Sequence, residues 1–126
     1  MLNVKQLTPM ILARDFEASL TFYQNLGFTL GFRSTEPDYA YLYCQGAAIR
    51  ILKAGEAVDL TSPDAEHILY FDVEDVDALW SELLPFLATL PREHVRAPFD
   101  QFYGQREFHV IEGPHLLMFG QEISKA

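Results

Sequence analysis

The sequence predicts an α+β fold in which one βαβββ unit occurs twice, and three observations support this. Asp15 opens an amphipathic stretch with its apolar residues on one helical stripe, and Asp75 opens a second such stretch sixty residues later. Each stretch follows a short apolar segment with strand character, and each precedes three further extended segments. Self-similarity at a fixed period indicates repeated structural units.

The two helices are predicted from their caps and their apolar spacing. Asp15 is a candidate N-cap, and Gly27 stands where a helix end favours a left-handed residue. The first stripe contains Phe16, Leu20 and Tyr23, and the second contains Val76, Leu79, Trp80, Leu83 and Leu87. Pro85 should kink the second helix or end it early, because proline has no N–H to donate. The preceding strands are predicted at residues 7–13 and 67–73.

Tyrosines gather on one face of the first predicted hairpin, which turns at Gln45-Gly46. Pairing outward from this turn sets Tyr43 opposite Ala48, Tyr41 opposite Arg50, and Tyr39 opposite Leu52. The other face is apolar and should pack against a helix; it carries Ala40, Leu42, Ile49 and Ile51. Tyrosine suits a half-wet surface, because its apolar ring carries a hydroxyl that needs a partner.

The second predicted hairpin turns at Gly113-Pro114 and divides in the same way. Its apolar face carries Phe108, Val110, Leu117 and Phe119, and its other face carries Glu107, His109, Ile111, Leu116 and Met118. In the strand at residues 67–73, Ile68, Tyr70 and Asp72 share the less apolar side. We interpret the mixed sides as a sheet curled around a ligand, although a solvated face or a dimer contact fits the same pattern.

Composition and charge exclude several classes of function. A chain of 126 residues that is 49% hydrophobic fits one domain, residues 1–126, with modules at about 1–63 and 64–126. The net charge of −9 argues against a nucleic-acid partner. No apolar run is long enough for a membrane span, and the N-terminus lacks a signal-peptide pattern. Cys44 is the single cysteine, so we expect a cytoplasmic protein without disulfides.

The acidic excess is concentrated in the second half of the sequence. Residues 64–126 carry twelve Asp and Glu against four Lys and Arg. Glu74, Asp75 and Asp77 fall at a helix start, where negative charge is favourable. The remaining excess leaves open an acidic surface that attracts basic small molecules.

Three segments carry a family resemblance: TPMILARDFEASLTFYQNLGF, ILYFDVEDVDALW and YGQREFHVIEGPHLLMFG. Together they span most of the chain and resemble the glyoxalase/bleomycin-resistance/dioxygenase (vicinal oxygen chelate) superfamily, most closely its bleomycin-resistance branch. The resemblance implies two βαβββ modules in a curled mixed sheet around a concave cavity, helices on the outer face, and a homodimer. One departure is the tail turn, which such proteins often make with a longer Asp-Pro-Asp-Gly-type sequence.

Metal-dependent members of that superfamily place His, Gln or Glu at one position on the first and on the last strand of each module. The resemblance implies that the four positions here are Thr8, Arg50, Ile68 and Met118. Threonine is a poor donor, isoleucine is none, methionine suits soft ions only, and arginine repels a cation. We therefore predict no metal and no cofactor.

The candidate ligand-binding residues are Tyr39, Tyr41, Tyr43, Arg50, Tyr70, Phe102, Tyr103, Glu107, His109 and Met118, with Phe32 as a further aromatic neighbour. The sequence and the resemblance favour a metal-free binding protein with no catalytic residue. It would sequester a partly aromatic ligand, cationic if the acidic surface contributes. Arg50 complicates this, since a guanidinium favours a carboxylate or phosphate on the ligand.

Two other functions stay open at the level of the sequence. Glu107 and His109 stand two residues apart on one strand face, where they can contact a ligand, act as an acid–base pair, or satisfy each other. As an acid–base pair they would serve a lyase, isomerase or dioxygenase with a relocated site. The third function is an interaction module that kept the fold and binds no ligand.

Overall fold

The computed structural model describes residues 1–123, and the chain forms two compact units with their boundary between Val58 and Asp59. The first unit contains β1 (Met10–Ala13), α1 (Phe16–Leu26), β2 (Thr29–Thr35), β3 (Asp38–Cys44) and β4 (Ala47–Lys53). Its sheet has the order β1-β4-β3-β2, in which β1 is parallel to β4 and the other pairs are antiparallel. The βαβββ prediction for this unit is confirmed.

The second unit repeats this order of elements. It contains β5 (His67–Asp72), α2 (Val76–Leu87), β6 (Val95–Asp100), β7 (Gln105–Glu112) and β8 (His115–Glu122). Its sheet has the order β5-β8-β7-β6, again with one parallel pair, β5 and β8. The fold is therefore α+β, with two four-stranded mixed sheets and two helices, as the sequence predicted. No helix within residues 1–123 is long and apolar enough to cross a membrane.

Both helices begin at an aspartate cap. Asp15 accepts a hydrogen bond from the Ala18 backbone N–H at 3.1 Å, and Asp75 accepts one from Ala78 at 3.0 Å. Helix α1 ends at Gly27, which has a φ of 114° and supplies the left-handed residue that the sequence predicted.

Two local predictions are wrong in part. Of the two effects predicted for Pro85, an early end of the helix is wrong, because α2 continues to Leu87 and buries Leu83 and Leu87 on either side of the proline. A kink at Pro85 stays a prediction. The first strand begins at Met10 rather than at residue 7, because Pro9 has no N–H to offer a sheet ladder.

The hairpin registers and the core faces agree with the prediction. Tyr41 pairs with Arg50 across the first hairpin, and His109 pairs with Met118 across the second. The predicted apolar face of the first hairpin is at most 1% exposed at Ala40, Leu42, Ile49 and Ile51. The corresponding residues of the second are at most 5% exposed at Phe108, Val110, Leu117 and Phe119. Each sheet thus buries one face in its own unit and presents the mixed face on the other side.

Candidate functional site

The mixed face of the first sheet brings together the tyrosines that the sequence placed there. We call it the tyrosine face and define it by Phe32, Tyr39, Tyr41, Tyr43 and Arg50, which the strand registers put on one side. Phe32 is 57% exposed and Tyr43 is 46% exposed, so two of the aromatic rings present much of their surface to solvent.

Arg50 lies at the centre of the aromatic contacts on this face. Its guanidinium carbon is 5.0 Å from the centroid of the Tyr41 ring, and its Nη1 donates a hydrogen bond to the Tyr39 hydroxyl. Tyr41 stacks beside Tyr43, with ring centroids 6.3 Å apart and planes 28° apart. Phe32 contacts Tyr39 at a centroid distance of 6.2 Å. The face therefore carries four aromatic side chains, two of which contact the Arg50 guanidinium directly.

Gly31 makes room for these rings, and the sequence reasoning missed it. It sits at the register shift of β2 between Leu30 and Phe32. A Cβ at this position would lie 3.0 Å from Cδ1 of Tyr41 and 3.3 Å from Cδ1 of Tyr43. A glycine inside a strand often marks a bulge or the close approach of another group, so the sequence did contain a signal for the role of Gly31.

Arg50 is the one charged residue that the registers place on the tyrosine face of the described chain. The other positions paired onto this face are Met10, Leu12, Thr29, Ser34, Ala48 and Leu52. Arg50 has no carboxylate within 4.0 Å among residues 1–123, whereas Arg33 on the opposite side of the sheet pairs with Glu17 and Asp38. No ion pair within the described part of the chain therefore neutralises the positive charge of Arg50.

The mixed face of the second sheet is organised around Glu107, which is 0% exposed. Four side chains hydrogen-bond to its carboxylate: Tyr70 at 2.9 Å, His109 at 2.8 Å, Gln101 at 3.2 Å, and Tyr103. A carboxylate has about four lone-pair sites, so this set fills its capacity. We call Glu107 and these four residues the carboxylate network; with Glu107 ionised, Nε2 of His109 carries the proton.

The ionisation of the network follows from these contacts. Burial opposes the charge of Glu107, but hydrogen bonds from Tyr103, His109 and the other donors outweigh it and lower its pKa. Burial and the neighbouring Glu107 raise the pKa of Tyr70, and the hydrogen bond to Glu107 raises that of Tyr103. The carboxylate thus stays an anion and the tyrosines stay donors. An anion of lowered pKa with four donors is a poor general base.

The remaining predicted residues lie around this network. Met118 pairs with His109 in the sheet, and the His109 ring meets Phe99 edge to face at 5.1 Å. Phe102 is 96% exposed at the tip of the loop that Gln101 and Tyr103 tie to Glu107. The sequence reasoning did not find Gln101, because only the folded loop brings it to the carboxylate.

Comparison with known proteins identifies the family. The family model of the Glyoxalase/Bleomycin resistance protein/Dioxygenase superfamily matches residues 5–118. The chain belongs to that superfamily. No curated protein sequence matches the chain.

Several solved structures share the fold at low sequence identity. A bleomycin-binding protein complexed with bleomycin has a TM-score of 0.72 and 20% identity, covering 94% of this chain and 99% of that one. A bleomycin-binding protein from Streptomyces verticillus, complexed with copper(II)-bleomycin, gives 0.73 and 20%, covering 99% and 100%. A bleomycin resistance determinant encoded on the transposon Tn5 gives 0.73 and 20%, covering 94% and 98%.

The resemblance to metal-dependent members of the superfamily implies four ligand positions, Thr8, Arg50, Ile68 and Met118. Arg50 and Met118 are each the fourth residue of the last strand of a unit, which makes them equivalent. Ile68 offers no donor atom, and Thr8 offers only a hydroxyl, to which Gln6 donates at 3.1 Å. Within residues 1–123, no three His, Cys, Asp or Glu side chains come together as ligands. This donor set does not fit a divalent metal.

Proposed function

We propose that this member of the superfamily is a small-molecule-binding protein of the bleomycin-resistance type, which sequesters a partly aromatic ligand without a metal. The observation that carries the proposal is the tyrosine face. Exposed aromatic rings on strands, beside an arginine that forms no ion pair within residues 1–123, are what a binding surface for a planar molecule needs. The bleomycin-binding relatives lend further support, since their names record this kind of ligand on the same fold.

For the mixed face of the second sheet, described by itself, we propose ligand contacts rather than chemistry. Tyr70, Tyr103 and His109 are held by Glu107, so their rings form a fixed surface, and Met118 lies beside His109. Phe102 is free to stack on a ligand, because its ring is almost fully exposed. An acid–base role for Glu107 and His109 has less support, because the hydrogen bonds that lower the pKa of Glu107 also fill its carboxylate.

We further propose a cytoplasmic homodimer without nucleic-acid or membrane partners. The net charge of −9 and the single cysteine support the partner and compartment assignments. The dimer is supported by the family resemblance and by apolar residues left exposed within the described chain, among them Leu2, Leu7 and Ile68.

The proposal is tested by thermal shift and calorimetry with a panel of planar aromatic small molecules that includes bleomycin. At least one compound should bind saturably at micromolar protein. Phe32→Ala and Tyr43→Ala should each weaken that binding about tenfold, the order expected for one stacked ring. Thr21→Ala, which changes an exposed residue of α1, should leave it unchanged.

Two results would count against this proposal. Saturable binding that neither tyrosine-face variant alters would move the ligand elsewhere in the molecule. Absence of saturable binding across the whole panel would remove the binding function and leave an interaction module as the better reading.

A further inference from the structure

We infer that the ligand of the tyrosine face carries an oxyanion beside its planar ring, with Arg50 binding the oxyanion while Tyr41 and Tyr43 contact the ring. This inference rests on the proposed binding function and assigns the chemical class of the ligand. The acidic composition of the chain led us to expect a cationic ligand, and this inference differs from that expectation.

Within residues 1–123, the hydrogen bonds of the Arg50 side chain use only part of its donor capacity. A guanidinium has five N–H donors in a planar fork, and one of them is directed at the Tyr39 hydroxyl. The Tyr41 ring covers one face of the guanidinium and takes up no N–H donor. The remaining donors suit a carboxylate, phosphate or sulfonate, which arginine can bind in a bidentate manner.

Arg50 has no acidic partner among the described residues, although the chain has eighteen Asp and Glu against nine Lys and Arg. Arg106, by comparison, is neutralised by ion pairs with Asp77 at 3.1 Å and with Asp100 at 3.0 Å. The guanidinium of Arg50, in contrast, has a hydrogen bond to Tyr39 and a cation–π contact with Tyr41, and no ion pair among residues 1–123. A half-buried cation that the surrounding protein does not neutralise favours an anion supplied from outside.

The same residues weigh against a cationic ligand on this face. A bound cation would meet Arg50, and the registers place no Asp or Glu of the described chain on the tyrosine face to offset that repulsion. Three acidic residues away from this face already have structural roles: Asp15 and Asp75 cap helices, and Asp77 pairs with Arg106.

The experiment compares four probes with one ring system: 2-naphthoate, 2-naphthyl phosphate, 2-naphthamide and 2-naphthylmethylammonium. Their affinities are measured by calorimetry or by NMR titration of the full chain. We expect the better of the two anions to bind about tenfold more tightly than the neutral amide, a factor that corresponds to about 1.4 kcal/mol. The ammonium should bind most weakly. The carboxylate and phosphate arms show which oxyanion the site prefers.

Three variants connect the preference to Arg50. Arg50→Met should abolish the preference for the anions over the amide, because the guanidinium that would bind the oxyanion is removed. Lys53→Met removes an exposed positive charge from the same strand and should retain the preference, which controls for net charge. Tyr39→Phe should also retain it, because this change frees the Nη1 donor of Arg50 and keeps the ring.

The outcomes separate this inference from the proposed function. Equal binding of all four probes, tighter binding of the ammonium, or an anion preference that survives in Arg50→Met overturns the inference while the binding function stands. Failure of all four probes to bind at millimolar concentration, while other compounds of the aromatic panel bind, also overturns only the inference. Failure of these probes together with the whole panel overturns both.

Discussion

At the scale of single residues, Glu107 shows how a sheet can hold a buried charge. Taking a carboxylate out of water is costly unless hydrogen bonds replace its hydration. Here Tyr70, Gln101, Tyr103 and His109 provide the replacement. Because all four partners donate, the ionised form of Glu107 is the form that the folded chain stabilises.

This arrangement predicts acid sensitivity of the fold. Glu107 has a lowered folded-state pKa, so its stabilisation is complete above the unfolded value of about 4.3 and is lost as the pH falls through that value toward the folded pKa. Glu107→Gln should lower the free energy of unfolding by about 1–3 kcal/mol at neutral pH. The difference from the wild type should shrink below that unfolded value, as urea denaturation across a pH series would show.

A matched control separates the network from general acid effects. Glu56→Gln changes an exposed loop carboxylate, and its stability should follow the wild-type pH profile. A constant difference between Glu107→Gln and the wild type at every pH would contradict the prediction, because it would mean that the protonation of Glu107 does not contribute to stability.

The sequence predicted part of this residue-scale picture. Glu107 and His109 had to share a face, because side chains two apart on a strand point the same way. Gln101 and Tyr103 could not be assigned to the carboxylate, because their position depends on the path of a loop that has no periodic pattern. The contact between Arg50 and Tyr41 was predictable from the two-residue turn, which fixes the pairing of the hairpin.

At the scale of elements, strand β8 passes directly beneath the carboxylate network. Gly120 pairs with Glu107 across β7 and β8 and with Asp72 across β5 and β8. A Cβ at position 120 would overlap the Tyr70 hydroxyl and lie 2.7 Å from Cζ of that ring. The close approach of Tyr70 therefore depends on glycine at position 120. A side chain there would occupy the space that the Tyr70 hydroxyl fills when it donates to Glu107.

Gly120→Ala should consequently displace Tyr70 from Glu107 and destabilise the second unit by about 1–3 kcal/mol, the usual cost of overpacking a filled site. Urea denaturation measures this loss. Gly55→Ala is the matched control, because a Cβ at Gly55 meets no atom within 4 Å. Equal stability of the two variants would show that Tyr70 moves aside without cost.

The elements differ in how well their sequence determines them. Two-residue turns and strict apolar alternation fix both hairpins, and Asp15 and Gly27 mark the limits of α1. Pro85 gave a misleading signal, because local propensity favours a break whereas burial of Leu83 and Leu87 favours continuation. Burial depends on tertiary packing, which a local pattern does not contain.

At the scale of the whole molecule, each unit is small for independent stability. A single sheet with one helix can bury only one of its two faces, and a piece of about 60 residues buries only about 60% of the surface of its unfolded chain. We therefore expect neither unit to be stable by itself.

We expect a single domain from the sequence, and we therefore predict that the full chain unfolds in one cooperative transition. Trp80, the only tryptophan, lies in the second unit with its ring centroid 5.3 Å from that of Phe108, so its fluorescence reports on that unit. Far-UV circular dichroism reports on the strands and helices of both units. The two urea transitions should coincide, and for a dimer their shared midpoint should rise with protein concentration. A circular dichroism transition in two steps, only one of which matches Trp80, would show that the units fold independently.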